Sequence, residues 1–210
     1  MVQFHNTIPD RLKRGKGICV LICLTMLVSA CSQTLQRQTC VALAKGVSYC
    51  LAPIPSDNKA RSATQQVAIN VNDSRHELLS HLELDREKLT LVGLAPLGQA
   101  LFTLVFDGAS LNSQQSMLLG DEFKAEYLLA LIQLIYWPLE DVNAHLQGAT
   151  LTSPECDAPR CRRIYATGND TKADQQESIL KIRFDKREPW KAEVELAIPQ
   201  ANFELKITPV

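Results

Sequence analysis

The side chains that could do chemistry in this 210-residue chain are seven cysteines, four histidines and the acids near them. His76 and His81 stand five apart in an alternating polar–apolar stretch. That spacing puts them on opposite faces of a strand, out of reach of a common substrate. His145 follows Asp141 by one helical turn, a spacing that stabilises a helix surface more often than it moves a proton. Gly-x-Ser-x-Gly, His-Glu-x-x-His and glycine-rich phosphate loops are absent, so the residues point away from an enzyme. Cys40, Cys50, Cys156 and Cys161 lack the tight Cys-x-x-Cys spacing or nearby histidines that zinc requires, and no metal or cofactor is expected. Four cysteines permit three pairings. The short loops Cys40–Cys50 and Cys156–Cys161 are the favoured disulfides, in an oxidising compartment.

The remaining cysteines belong to the start of the chain. Arg11, Lys13, Arg14 and Lys16 precede an apolar run from Ile18 to Val28, which contains Cys19 and Cys23. The run is too short for a bilayer, which needs roughly 20 residues. A basic start, a short apolar core and the small residues Ser29 and Ala30 read as a secretory signal peptide over residues 1–30. Val28-Ser29-Ala30-Cys31 resembles the lipobox of bacterial lipoproteins. That resemblance implies acylation, palmitate included, on Cys31, which becomes the first mature residue. Several acyl chains on one cysteine anchor a protein stably where a single chain is marginal. By the same resemblance, Ser32, in place of an aspartate, implies the outer membrane of the bacterial envelope, with the protein facing the periplasm. The whole chain carries a formal net charge of −1, and loss of residues 1–30 removes four basic residues and one acid. No basic face for nucleic acid is expected.

A polar tether over residues 31–38 then leads into a single domain over 39–210. From Gln65 the pattern is strand-like: Gln66 to Val71, His76 to Leu84, Lys88 to Val92, Gln99 to Phe106, and Leu111 to Leu118. Asp107-Gly108 marks a turn. At Asp121 the period becomes helical through Phe123, Tyr127, Leu128, Leu131, Ile132 and Ile135, and Pro138 ends that helix at Trp137. Leu139, Val142 and Leu146 suggest a second helix stopped by Gly148. Strands return at Arg163–Ala166, Ile179–Phe184, Val194–Ile198 and Phe203–Ile207. The order predicts an α+β fold: a curved antiparallel sheet, an incomplete barrel, with a helical pair packed over its apolar face.

Lys88 to Leu104, two apolar strands around Pro96-Leu97-Gly98, resembles the strand–loop–strand of the LolB family. Those outer-membrane lipoproteins receive lipoproteins from the periplasmic carrier LolA. Trp137 to Gly148 resembles the LolB helix pair. The run Leu91 to Gly98, the helical Leu134-Ile135-Tyr136-Trp137-Pro138 and the closing Phe203-x-Leu205-x-Ile207 are more similar still to a family of uncharacterised bacterial lipoproteins associated with aryl polyene lipid biosynthesis. The resemblance covers residues 65–150 well, the last strands loosely, and implies a LolA/LolB-like fold. It implies a lipid-transport role: an outer-membrane carrier or acceptor that holds an acylated lipid or lipoprotein in an apolar cavity, with a LolA-like carrier as a possible partner. It also implies a membrane-contact role for Leu97. Phe102, Phe106, Tyr127, Leu131 and Phe184 are candidates to line the cavity, with ordinary core packing as the plainer expectation. The alternative function is a structural or assembly accessory whose core is filled. Arg162 and Arg163 could meet a lipid phosphate or an acidic partner, although a solvated strand end is the simpler expectation.

Overall fold

The structure is a computed structural model and describes residues 39–72, 74–119, 124–168 and 177–210. Two helices and thirteen strands are found among them. The signal segment, Cys31, the tether, and Asp121 to Phe123 lie outside the described residues.

Alternating side chains build the main sheet. It runs through β3 (Arg61–Val71), β4 (Ser74–Leu84), β5 (Leu89–Leu94), β6 (Ala100–Phe106), β7 (Leu111–Gln115), β9 (Ala149–Thr152), β10 (Arg160–Ala166), β11 (Leu180–Phe184), β12 (Val194–Ile198) and β13 (Phe203–Pro209). Its ten strands lie in the order β7-β6-β5-β4-β3-β13-β12-β11-β10-β9, all antiparallel, and the curved sheet is not closed. β3 and β4 pair over their whole length, from Arg61↔Leu84 to Val71↔Ser74. On one face Leu82, Leu91, Leu104, Ile182, Leu196 and Ile207 are buried, as period-two alternation demands. The segment Leu111 to Leu118 stops being a strand at Gln115, and Met117–Leu119 turns as a 3-10 helix.

Against this face lies helix α1 (Ala125–Tyr136), buried without interruption from Leu129 to Tyr136. A helix apolar all round needs cover on both sides. The second cover is a small sheet in the order β1-β2-β8, built from β1 (Cys40–Ala44), β2 (Val47–Cys50) and β8 (Leu146–Gln147). The strand-like pattern is read only from Gln65 onward, and β1 and β2, although apolar, are only five and four residues long, too short to show their alternation clearly. Cys40 and Cys50 stand opposite each other in that hairpin and form a disulfide; Cys156 and Cys161 form the second.

Several polar side chains buried in this interior are paired. Gln133, wholly buried in α1, accepts from Tyr49 Oη and from the Ala52 N–H at 2.8 Å each, and donates to the Ala52 carbonyl at 2.9 Å. The indole N–H of Trp137 donates to the Pro53 carbonyl at 2.9 Å. These bonds hold the first hairpin on α1. Helix α2 (Leu139–His145) protects the sheet's β9 edge, because Asn143 bonds both the N–H and the carbonyl of Leu151, at 2.8 and 2.9 Å.

Candidate functional site

The site begins at one cross-strand pair. Phe102 lies opposite Gly93, and a Cβ on Gly93 would run into the Phe102 ring. Glycine therefore lets the ring lie flat on the strand. Immediately beyond, the β5–β6 register shifts between Gly93 and Leu94. The chain then turns tightly: the Ala95 N–H donates to the Gln99 carbonyl and the Gly98 N–H to the Ala95 carbonyl, both at 2.8 Å. Pro96 presets the turn, and Gly98, at φ +81°, occupies the left-handed position that completes a three-residue hairpin loop. Leu97 between them has no packing partner to fold onto. It is 92% exposed.

At the foot of this loop lies a groove of about 470 Å³. Its apolar side chains include Leu79, Leu94, Ala95 and Pro96; its polar ones include Gln66, Thr208, Arg75, Glu77 and Lys206. The register explains the grouping. Thr208, Gln66, Leu79 and Leu94 form one row across four strands, and Lys206, Ala68 and Glu77 form the next. Both rows point away from the core. The groove thus lies on the sheet's outer face, beside the projecting end of the β3–β4 hairpin.

The cations in the groove are paired within the protein. Arg75 donates to Glu77 Oε1 through Nε and Nη2, at 2.9 and 2.7 Å. Lys206 Nζ lies 2.6 Å from Glu193 and 3.8 Å from Glu195. The hydrogen bond from Lys206 holds the Glu193 carboxyl below its ordinary range, and the same bond raises Lys206.

The residues expected to line an internal cavity sit elsewhere. Phe102, Phe106, Leu131 and Phe184 are buried in the core between sheet and α1. Tyr127 is half-buried, edge-on to Phe203 with centroids 6.5 Å apart, and burial raises its pKa. None of them lines the groove. Arg162 corrects an expectation outright. It is no solvated strand end but 2% exposed, and its Nη1 donates to the Leu134 carbonyl at 2.8 Å. In a continuing helix that carbonyl would receive the N–H of residue 138, which is Pro138 and has none. Arg162 takes the place of the missing donor and puts a positive charge at the helix C-terminus, where the dipole favours it. Burial, with neighbouring Arg160, pulls its pKa down to about 10, so it stays charged at neutral pH.

The histidines do not converge. His81 bonds Thr64 Oγ1 at 2.9 Å and Glu83 at 3.2 Å, while His145 Nδ1 bonds the Asp141 carbonyl at 2.9 Å. Among the described residues no cluster of His, Cys, Asp or Glu could hold a metal, and no helix is long and apolar enough to cross a membrane.

A family model described as a protein of unknown function, DUF3261, matches residues 62–210. No curated protein matches the chain. The matched segment includes the whole main sheet except Arg61, both helices and the groove, and leaves the first hairpin outside.

Proposed function

The chain belongs to this DUF3261 family of proteins of unknown function, and from its geometry we propose a lipid-anchored carrier or acceptor of the outer membrane that handles an acylated molecule. The observation that carries the reading is Leu97, an exposed leucine held rigidly at the mouth of a groove containing Leu79 and Leu94. An acyl chain lying along Leu79, Leu94 and Pro96 gains roughly 0.8 kcal/mol for each methylene it buries. A membrane offers the same burial, so delivery runs downhill without chemical energy, and Leu97 shortens the passage by touching the membrane interface. Cys31 supplies the anchor by its lipobox resemblance. The likeness of Pro96-Leu97-Gly98 to the LolB loop supports the same role, with an acylated lipid of aryl polyene type or a lipoprotein as cargo and a LolA-like carrier as donor.

The test is transfer of a fluorescent acyl lipid from loaded protein to liposomes. Leu97→Glu should slow transfer, because a carboxylate enters the interface unfavourably. It should leave the melting temperature within a degree or two, since an exposed loop side chain contributes little to stability. Equal rates for wild type and Leu97→Glu would overturn the proposal. The core packed with Phe102, Phe106, Leu131 and Phe184 favours a second reading, an assembly accessory that docks a partner and carries nothing. Lipid extraction from the purified acylated protein, followed by mass spectrometry, separates the two.

A further inference from the structure

Three large apolar side chains stand almost wholly exposed among the described residues: Leu97 at 92%, Met117 at 98% and Val210 at 81%. Two of them share one end of the sheet. Gln115, the last residue of β7, pairs with Phe102, and the Ser116 N–H donates to the Leu101 carbonyl at 2.7 Å. Met117 therefore begins its 3-10 turn beside the start of β6, a few residues from the loop that carries Leu97. Val210 lies past the end of β13, which runs away from that rim. A second observation comes from charge. Between Lys88 and Asp121 the only charged residue is Asp107, and it sits in the β6–β7 turn at the opposite end of the strands.

We infer that Met117 is a second membrane contact, so that β5, β6 and β7 present a charge-free, two-pronged edge to a lipid bilayer. The inference rests on the reading of Leu97 as a membrane contact and extends it to an orientation. Lipid is the occupant because the prongs are two isolated side chains on separate turns. They do not form the patch of roughly 800 Å² per partner that a stable protein interface buries. A bilayer needs only shallow insertion of each; β5, β6 and β7 bring no charge to that end, and the nearest cations, Arg75 and Lys206 in the groove, are already paired with Glu77 and Glu193. Two contacts also fix what one leaves free: they set the tilt of the sheet and hold the groove mouth toward the lipid.

The experiment uses the full acylated chain in phosphatidylcholine proteoliposomes, with and without brominated acyl chains that quench tryptophan. Leu97→Trp, Met117→Trp and Val210→Trp are compared with the parent, whose Trp137 and Trp190 give the background. Each variant is first shown to keep the parent's melting temperature. Emission at positions 97 and 117 should shift to the blue and be lost to bromine, whereas position 210 should match its value in water. The effect should not grow with anionic lipid or shrink in high salt, since β5 to β7 carry no cations and the groove's Arg75 and Lys206 are paired within the protein. Quenching at 97 with position 117 behaving like 210 would overturn the second contact and leave the leading proposal standing. Quenching at neither would overturn both. Quenching at 117 that appears only with anionic lipid and vanishes in salt would overturn the charge-free mode of contact.

Discussion

Replacing Gly93 with alanine tests whether the Leu97 loop is aimed by packing beneath it. An alanine Cβ would overlap Phe102 Cε1 and Cζ, well inside contact distance. The ring has little room to retreat, because Phe102 is 3% exposed and part of the main core. Overpacking of this kind costs about 1–3 kcal/mol. Against it stands the general gain of roughly 0.5–1 kcal/mol when alanine replaces glycine within a strand. The clash wins, for a net loss of about 0.5–2 kcal/mol, or a fall in melting temperature of roughly 1–8 °C for a chain of this size. The decisive assay is a double-mutant cycle with Phe102→Leu, followed by thermal unfolding. Once the ring is gone, Gly93→Ala should become neutral or stabilising, a reversal of sign. Because the register shift that launches the turn begins at Gly93, the single variant should also slow lipid transfer to liposomes. A destabilisation that persists unchanged in the Phe102→Leu background would refute the reasoning. It would mean the glycine is required by its backbone and not by the ring above it.

Arg162→Met should destabilise by about 1–3 kcal/mol, the cost of a buried Leu134 carbonyl without a donor, reduced by whatever the buried charge costs now. In a Pro138→Ala background, where an N–H is available, denaturant unfolding should show a smaller loss; an equal loss would mean the capping account is wrong. Asp85 accepts the N–H groups of Glu87 and Lys88, and Asp107 those of Ser110 and Ala109, which lower both carboxyls below their ordinary pKa of 3.8. Their contribution is therefore present above that value and disappears as pH falls through the lower folded one. The double variant Asp85→Asn, Asp107→Asn should flatten melting temperature against pH between 5 and 2, and a curve parallel to the parent's would contradict this. Cys31→Ser should leave the protein out of the outer-membrane fraction, and retention after a high-salt wash would remove the proposed anchor.

Local chemistry made much of this protein legible in its residues alone. Alternation in Leu89–Leu94 and Leu180–Phe184 specifies strands with one buried face, and the helical repeat before Pro138 specifies α1 and its end. Pro96 and Gly98 predict a turn that exposes Leu97, and the short Cys40–Cys50 and Cys156–Cys161 spacings predict their own closure. All of these depend on neighbours within about ten residues. What depends on distant partners had to wait for the fold. The hairpin β1–β2 is held by bonds that Tyr49 and Ala52 donate to Gln133 and that Pro53 accepts from Trp137, some eighty residues away. Arg162 reads as a surface residue until the helix end that lacks a donor is brought against it. The groove exists because Thr208, Gln66, Leu79 and Leu94 fall into one row, and a shift of one residue in any of those ladders would turn that strand's members to the other face. Periodicity tells which side chains share a face of one strand. Only the tertiary register decides which strands stand beside it, and therefore what the shared surface can hold.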